Sequence, residues 1–117
     1  MRKLQDFSEE EKKFLLEFAR KTIVTRKVSI PESFPLKLKE KGASFVTLHE
    51  KTGELRGCIG SLESHEPLIR NVGKNAINAA FNDPRFPSVE QEETGTLVIE
   101  ISVLTKPEKL EYKDEFD

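Results

Sequence analysis

A β-strand interrupted twice by glycine most narrows what this chain can fold into. Ser44-Phe45-Val46-Thr47-Leu48-His49 is rich in β-branched and aromatic residues and reads as a strand. Glu50-Lys51-Thr52-Gly53 is a hairpin loop, and Glu54-Leu55-Arg56-Gly57-Cys58-Ile59-Gly60-Ser61 is the return strand. Glycine inside a strand adds backbone entropy and packs nothing, so its presence calls for a bulge or for a close approach by another backbone or a ligand. Strict alternation puts Arg56, Cys58 and Gly60 on one face, and Leu55, Gly57 and Ile59 on the other. On that reading a guanidinium and a thiol stand side by side on a strand with low shoulders, which suits an anion or thiol chemistry.

The flanking segments supply helices. Ser8 followed by Glu11 has capping-box spacing, and Glu9, Glu10 and Glu11 suit the positive end of a helix dipole. Leu15, Phe18, Ala19 and Ile23 recur at helical spacing with Phe14 beside them, which predicts a helix from about Ser8 to Arg26 with one buried stripe. Pro31 and Pro35 bracket a loop, and a short turn through Leu36–Glu40 is expected to stop at Gly42. A second helix starts at Pro67 and runs to Asn82, with Leu68, Val72, Ala76 and Ala79 on a low-profile side. Thr96–Leu104 reads as a strand apolar on both faces at one end, hence central in the sheet.

At 117 residues there is room for one domain, expected here over 1–117. The fold class is α+β, a two-layer α/β arrangement with helices on a mainly antiparallel sheet. No apolar run approaches a membrane span, and Met1–Asp6 turns acidic before any apolar segment, unlike a secretory signal. A net charge of −2 leaves no electrostatic footprint for nucleic acid, and a single cysteine fits a reducing cytosol. Glu (17) and Lys (13) far outnumber Asp (4) and Arg (6), a bias that points to a thermophilic source.

Beyond the strand, three features bear on chemistry. Asp83-Pro84-Arg85-Phe86-Pro87 is a turn whose Asp83 and Pro84 need no function, whereas Arg85 and Phe86 are not explained by turn chemistry. Glu100 lies in the most apolar strand, so it needs a partner such as Arg56 or Arg85. His65 lies just past the strand end, and a Cys58–His65 nucleophilic pair is conceivable. His49, His65 and Cys58 match no metal-ligand spacing, and no cofactor motif is present. Cys58 has two readings, a small buried hydrophobe or a reactive thiol.

Phe45-Val46-Thr47-Leu48 followed by Gly53-Glu54-Leu55-Arg56-Gly57-Cys58-Ile59-Gly60 resembles the signature of the AMMECR-type domain family, called AmmeMemoRadiSam system protein A in prokaryotes. Asn75-Ala76 with Ala79-Ala80-Phe81, then Asp83–Pro87 and Ile99–Leu104, match its later blocks in order. The resemblance spans nearly all of the chain and the amino-terminal part of the family domain, which continues past Pro107. It implies an α/β fold, cytosolic residence, and Memo-like or radical-SAM partners, and it supplies no established reaction. Arg56, Gly57, Cys58, Ile59, Gly60, Asp83, Arg85 and Glu100 carry over as motif residues; Ser61 stands where the family usually has Thr. Two functions follow. In one, Cys58 acts as nucleophile in a ligand or active-site cleft whose binding residues are the other seven. In the other, Arg56, Arg85 and Phe86 form an adaptor patch for a partner enzyme. An uncovered sheet edge adds the expectation of a homo-oligomer.

Overall fold

The computed structural model describes residues 7–104. Two α-helices and a three-stranded antiparallel sheet follow in the order α1 (Glu9–Thr25), β1 (Ala43–His49), β2 (Leu55–Gly60), α2 (Leu68–Phe81) and β3 (Val98–Leu104). The expected α+β class is what the chain adopts. Short 3-10 turns at Leu36–Lys39 and Gln91–Glu93 complete the described residues.

The capping box at the start of α1 is formed: Glu11 N donates to Ser8 Oγ at 3.1 Å, and Ser8 N donates to Glu11 Oε1 at 2.8 Å. Leu15, Phe18, Ala19 and Ile23 are buried, as the spacing predicts. Arg26 closes the helix in the left-handed region at φ 62°, and its guanidinium lies 4.6 Å from the centre of the Phe81 ring. The next turn ends at Lys39 rather than at Gly42, which instead packs against Leu68 without taking positive φ.

Both helices lie on one face of the sheet. That face carries Val46, Leu48, Ile101 and Val103, which join Leu15, Ile23, Val72, Ala76 and Ala79 in the core. Burying this surface supplies most of the driving force, at about 25 cal/mol per Å² of apolar area. Two buried asparagines on α2 give the core a polar seam. Ser44 Oγ donates to Asn71 Oδ1 at 2.8 Å, and Asn75 Nδ2 donates to the Ser44 carbonyl at 2.9 Å. Their partners lie on β1, so the seam fixes the helix against the central strand.

The strand order corrects one expectation. The sheet runs β2-β1-β3, so β1 is central and β3 lies at an edge among the described residues. Leu97 supplied much of the two-faced apolar look of β3, but it precedes the strand. It is buried, and its carbonyl accepts from Arg20 Nη2 at 2.6 Å. Within β3 the pattern alternates: Ile101 and Val103 face the core, while Glu100 and Ser102 face away.

Candidate functional site

Register places the residues of the face that carries no helix among the described residues. Thr47 pairs with Cys58 on one side and with Glu100 on the other, while Phe45 sits between Gly60 and Ser102. Cross-strand partners share a face with Cβ atoms roughly 5 Å apart. Cys58, Thr47 and Glu100 therefore form one row, with His49 beside it on β1, and each is half-buried.

Thr47 Oγ1 lies 3.2 Å from Cys58 Sγ, within hydrogen-bond reach for sulfur. Glu100 Oε1 lies 3.5 Å from His49 Nε2, and His49 Nδ1 is 3.3 Å from the Gly53 carbonyl. Glu100 thus meets His49, not the arginine expected from the sequence; both arginines are bound to other carboxylates.

The outer edge of β2 is held by the loop after α2. Cys58 N donates to Asp83 Oδ2 at 3.0 Å, and Arg85 Nη2 donates to the Cys58 carbonyl at 3.2 Å. Arg85 also donates to Asp83 through its backbone N (3.0 Å), Nε (3.0 Å) and Nη2 (2.7 Å). Asp83 is buried, and these bonds, the Arg85 guanidinium first and the Cys58 amide next, hold its carboxyl well below the usual carboxylate range. Arg85 is pushed above its ordinary value, mainly by its bonds to Asp83. The Asp-Pro-Arg turn therefore does for the edge strand what a neighbouring strand would do: it satisfies the peptide groups of Cys58.

Arg56 leaves the face that alternation assigns to it. Leu48 pairs with Gly57 but His49 pairs with Leu55, so Arg56 is the extra residue at a register shift, and such a bulge re-aims a side chain. Arg56 is 7% exposed, and its guanidinium runs to the loop after α2. Nε donates to Glu93 Oε2 at 3.0 Å, Nη1 to the Pro87 carbonyl at 2.8 Å, and Nη2 to Ser88 O and Glu93 Oε1 at 3.3 and 3.1 Å. This contact holds the Glu93 carboxyl below its ordinary value, helped by the Glu90 amide.

The two glycines are explained by the chain itself. A Cβ at Gly57 would run into the Ala79 carbonyl oxygen, so α2 comes down onto the strand there. At Gly60 the space is taken by the Phe45 ring. Ile59 packs against the core with Gly57 on the helix side. Of the eight residues expected at a site, Cys58, Gly60 and Glu100 thus share the open face and Asp83 and Arg85 clamp its edge. Arg56, Gly57 and Ile59 serve the packing behind it. His65 is exposed in the loop after β2 and makes no hydrogen bond with Cys58. Thr47 and His49 are the additions. Counting back from the hairpin would have paired Thr47 with Cys58 only if the bulge at Arg56 were known. A groove of about 570 Å³ lies between α1 and β3, lined by Leu16, Val24, Leu97, Val98 and Ile99 among others, and the expected residues do not line it.

The AMMECR1 family model matches residues 16–117. Protein LS215_2104 of Saccharolobus islandicus is 40% identical over 121 residues, covering 97% of this chain and 53% of that protein. A protein of Methanothermobacter thermautotrophicus is 40% identical over 120 residues, covering 98% of this chain and 62% of its own length. The crystal structure of the uncharacterized protein PH0010 from Pyrococcus horikoshii superposes with a TM-score of 0.80 at 40% identity, covering 86% of this chain and 54% of that one. The chain thus spans between half and two-thirds of the length of these relatives, which come from thermophilic archaea, in keeping with its Lys and Glu bias. No helix among the described residues is long and apolar enough to cross a membrane. With residues 16–117 matched by that model, the chain belongs to the AMMECR1 family.

Proposed function

We propose that this chain is a cytosolic small-molecule-binding domain whose site is the open sheet face around Cys58, with the thiol as its nucleophilic or redox group. The observation that supports this most is the immobilisation of Cys58. Its amide and carbonyl are held from outside by Asp83 and Arg85, and its sulfur meets Thr47 Oγ1 at 3.2 Å. A half-buried thiol fixed at three points beside a guanidinium and a carboxylate–imidazole pair is the kind of group arrangement found at reaction sites. Arg56 has no part in contacting the ligand on this reading; it braces the loop that carries the clamp.

The test is a thermal-shift screen of a metabolite library on the purified chain. Compounds that raise the melting temperature of the wild type are expected to lose that effect in Cys58→Ser and Thr47→Val and to retain it in Lys27→Ala. Hits that stabilise Cys58→Ser and Thr47→Val as well as they stabilise the wild type would place the ligand elsewhere and overturn the assignment.

The adaptor reading, with Memo-like or radical-SAM proteins as partners, keeps one supporting observation. Arg85 lies 5.3 Å from the centre of the Phe86 ring on the surface, a pairing common in binding hot spots. Binding of a purified partner that Phe86→Ala abolishes and Cys58→Ser spares would favour it.

A further inference from the structure

Two arginines flank the strand of Cys58, and their donors are engaged differently. Arg56 directs four N–H groups into the protein, to Glu93, Pro87 and Ser88. Arg85 directs Nε and Nη2 to Asp83 and to the Cys58 carbonyl, and its Nη1 has no hydrogen-bond partner among the described residues. The Arg85 side chain is 56% exposed, whereas the Asp83 side chain beneath it is 2% exposed. A buried carboxylate and the Cys58 carbonyl thus fix Nε and Nη2 of the guanidinium, so little conformational freedom remains to be lost when Nη1 binds. Nη1 keeps its two N–H groups for an outside acceptor, donors of the kind that a carboxylate or phosphate oxygen takes up.

We propose that the Nη1 group of Arg85 anchors an oxyanion, a carboxylate or phosphate, on the molecule that meets Cys58. This rests on the reading of Cys58 as the reactive group. Asp83 acts through Arg85 as a positioning residue, because its charge is taken up by bonds to Arg85 and Cys58. It lowers the long-range pull on anions while holding the donors still, so recognition here depends on short-range, directional bonds. Arg56 is buried, with nearly all its donors engaged in the fold, so the anion-binding role that sequence alone assigns to it passes to Arg85.

The test compares two alkylating reagents of nearly equal size on the full chain, anionic iodoacetate and neutral iodoacetamide. In each case the Cys58 sulfur attacks the methylene carbon, a C–S bond forms as the C–I bond breaks, iodide leaves with the electron pair, and the thiol proton passes to solvent. The rate ratio, iodoacetate over iodoacetamide, is measured on the folded chain and on the urea-unfolded chain. The ratio is expected to rise on folding by about threefold, the size of one exposed ion pair. It is expected to return to the unfolded value in Arg85→Gln and to persist in Arg70→Gln. Inorganic phosphate and acetate, added separately, are expected to slow iodoacetate more than iodoacetamide, and the stronger competitor identifies the preferred oxyanion. An equal ratio in folded and unfolded chains, with both reagents labelling Cys58, overturns the anchor and leaves the thiol site standing. A raised ratio that survives Arg85→Gln overturns the assignment to Arg85. Failure of both reagents to label the folded chain overturns the thiol site itself. If Arg85→Gln does not fold, the wild-type ratio still tests the anchor, and Arg85→Lys, which keeps the charge without the planar donors, takes its place in the assignment.

Discussion

Gly57 and Gly60 show how far single residues could be understood from sequence. That each needed an unusual neighbour follows from strand physics alone. What occupies the space could not be read, because the occupants are the Ala79 carbonyl of α2 and the Phe45 ring of β1. The two differ in how easily they yield. A helix carbonyl cannot move without disturbing its own hydrogen bonds, whereas the Phe45 ring, a half-buried side chain, can swing about its Cα–Cβ bond. Gly57→Ala is therefore expected to destabilise by about 1–3 kcal/mol, and Gly60→Ala by less, read from urea midpoints. Arg56 gives a second comparison. Arg56→Ala would leave the Pro87 carbonyl without its donor and the Glu93 carboxylate with the Glu90 amide in place of an ion pair, and is expected to cost about 1.5–3 kcal/mol. Its Cys58 labelling rate under native conditions should stay at the wild-type value, since the guanidinium points away from the thiol. A tenfold change in that rate at unchanged stability would return Arg56 to the site.

Among elements, those governed by local rules were legible and those governed by pairing were less so. The cap of α1, the Gly53 hairpin and the buried side of α2 all follow from spacing and turn chemistry. Ser8→Ala is expected to cost about 1 kcal/mol, because both reciprocal bonds of the capping box are present. The bulge at Arg56 and the edge position of β3 were hidden, since neither leaves a mark in the alternation of its own strand. The clamp on β2 has a consequence for acid stability. Asp83 and Glu93 are both depressed from ordinary values of 3.8 and 4.5 by their arginine partners. A carboxyl depressed in the folded state stabilises fully above its unfolded value and progressively less as pH falls toward its folded value. Both contributions are thus complete above pH 4.5 and decline below it, Glu93 first and Asp83 from 3.8 downward. Urea midpoints between about pH 2.5 and 6 should fall less steeply with acid in Asp83→Asn and Glu93→Gln than in the wild type. Acid limbs of equal slope in all three would show that these pairs are not formed in solution.

The whole molecule is a sheet with two unlike faces. One carries both helices and the apolar core; the other presents Cys58, Thr47, Glu100 and His49, with no helix over them among the described residues. That division, and the AMMECR1 resemblance, could be read from the chain, whereas the split of the motif between the two faces required coordinates. The motif's arginine and glycines build the platform, and its cysteine, with the aspartate and arginine of the later block, forms what the platform presents. The most direct measurement is the rate at which a neutral thiol reagent labels Cys58 at increasing urea below the unfolding transition. A thiol on the open face should react in the absence of urea, at a rate that hardly changes until the transition begins. Labelling that is undetectable in water and rises in step with the unfolded fraction would mean that the sulfur is reached only when the sheet opens, and would contradict the site.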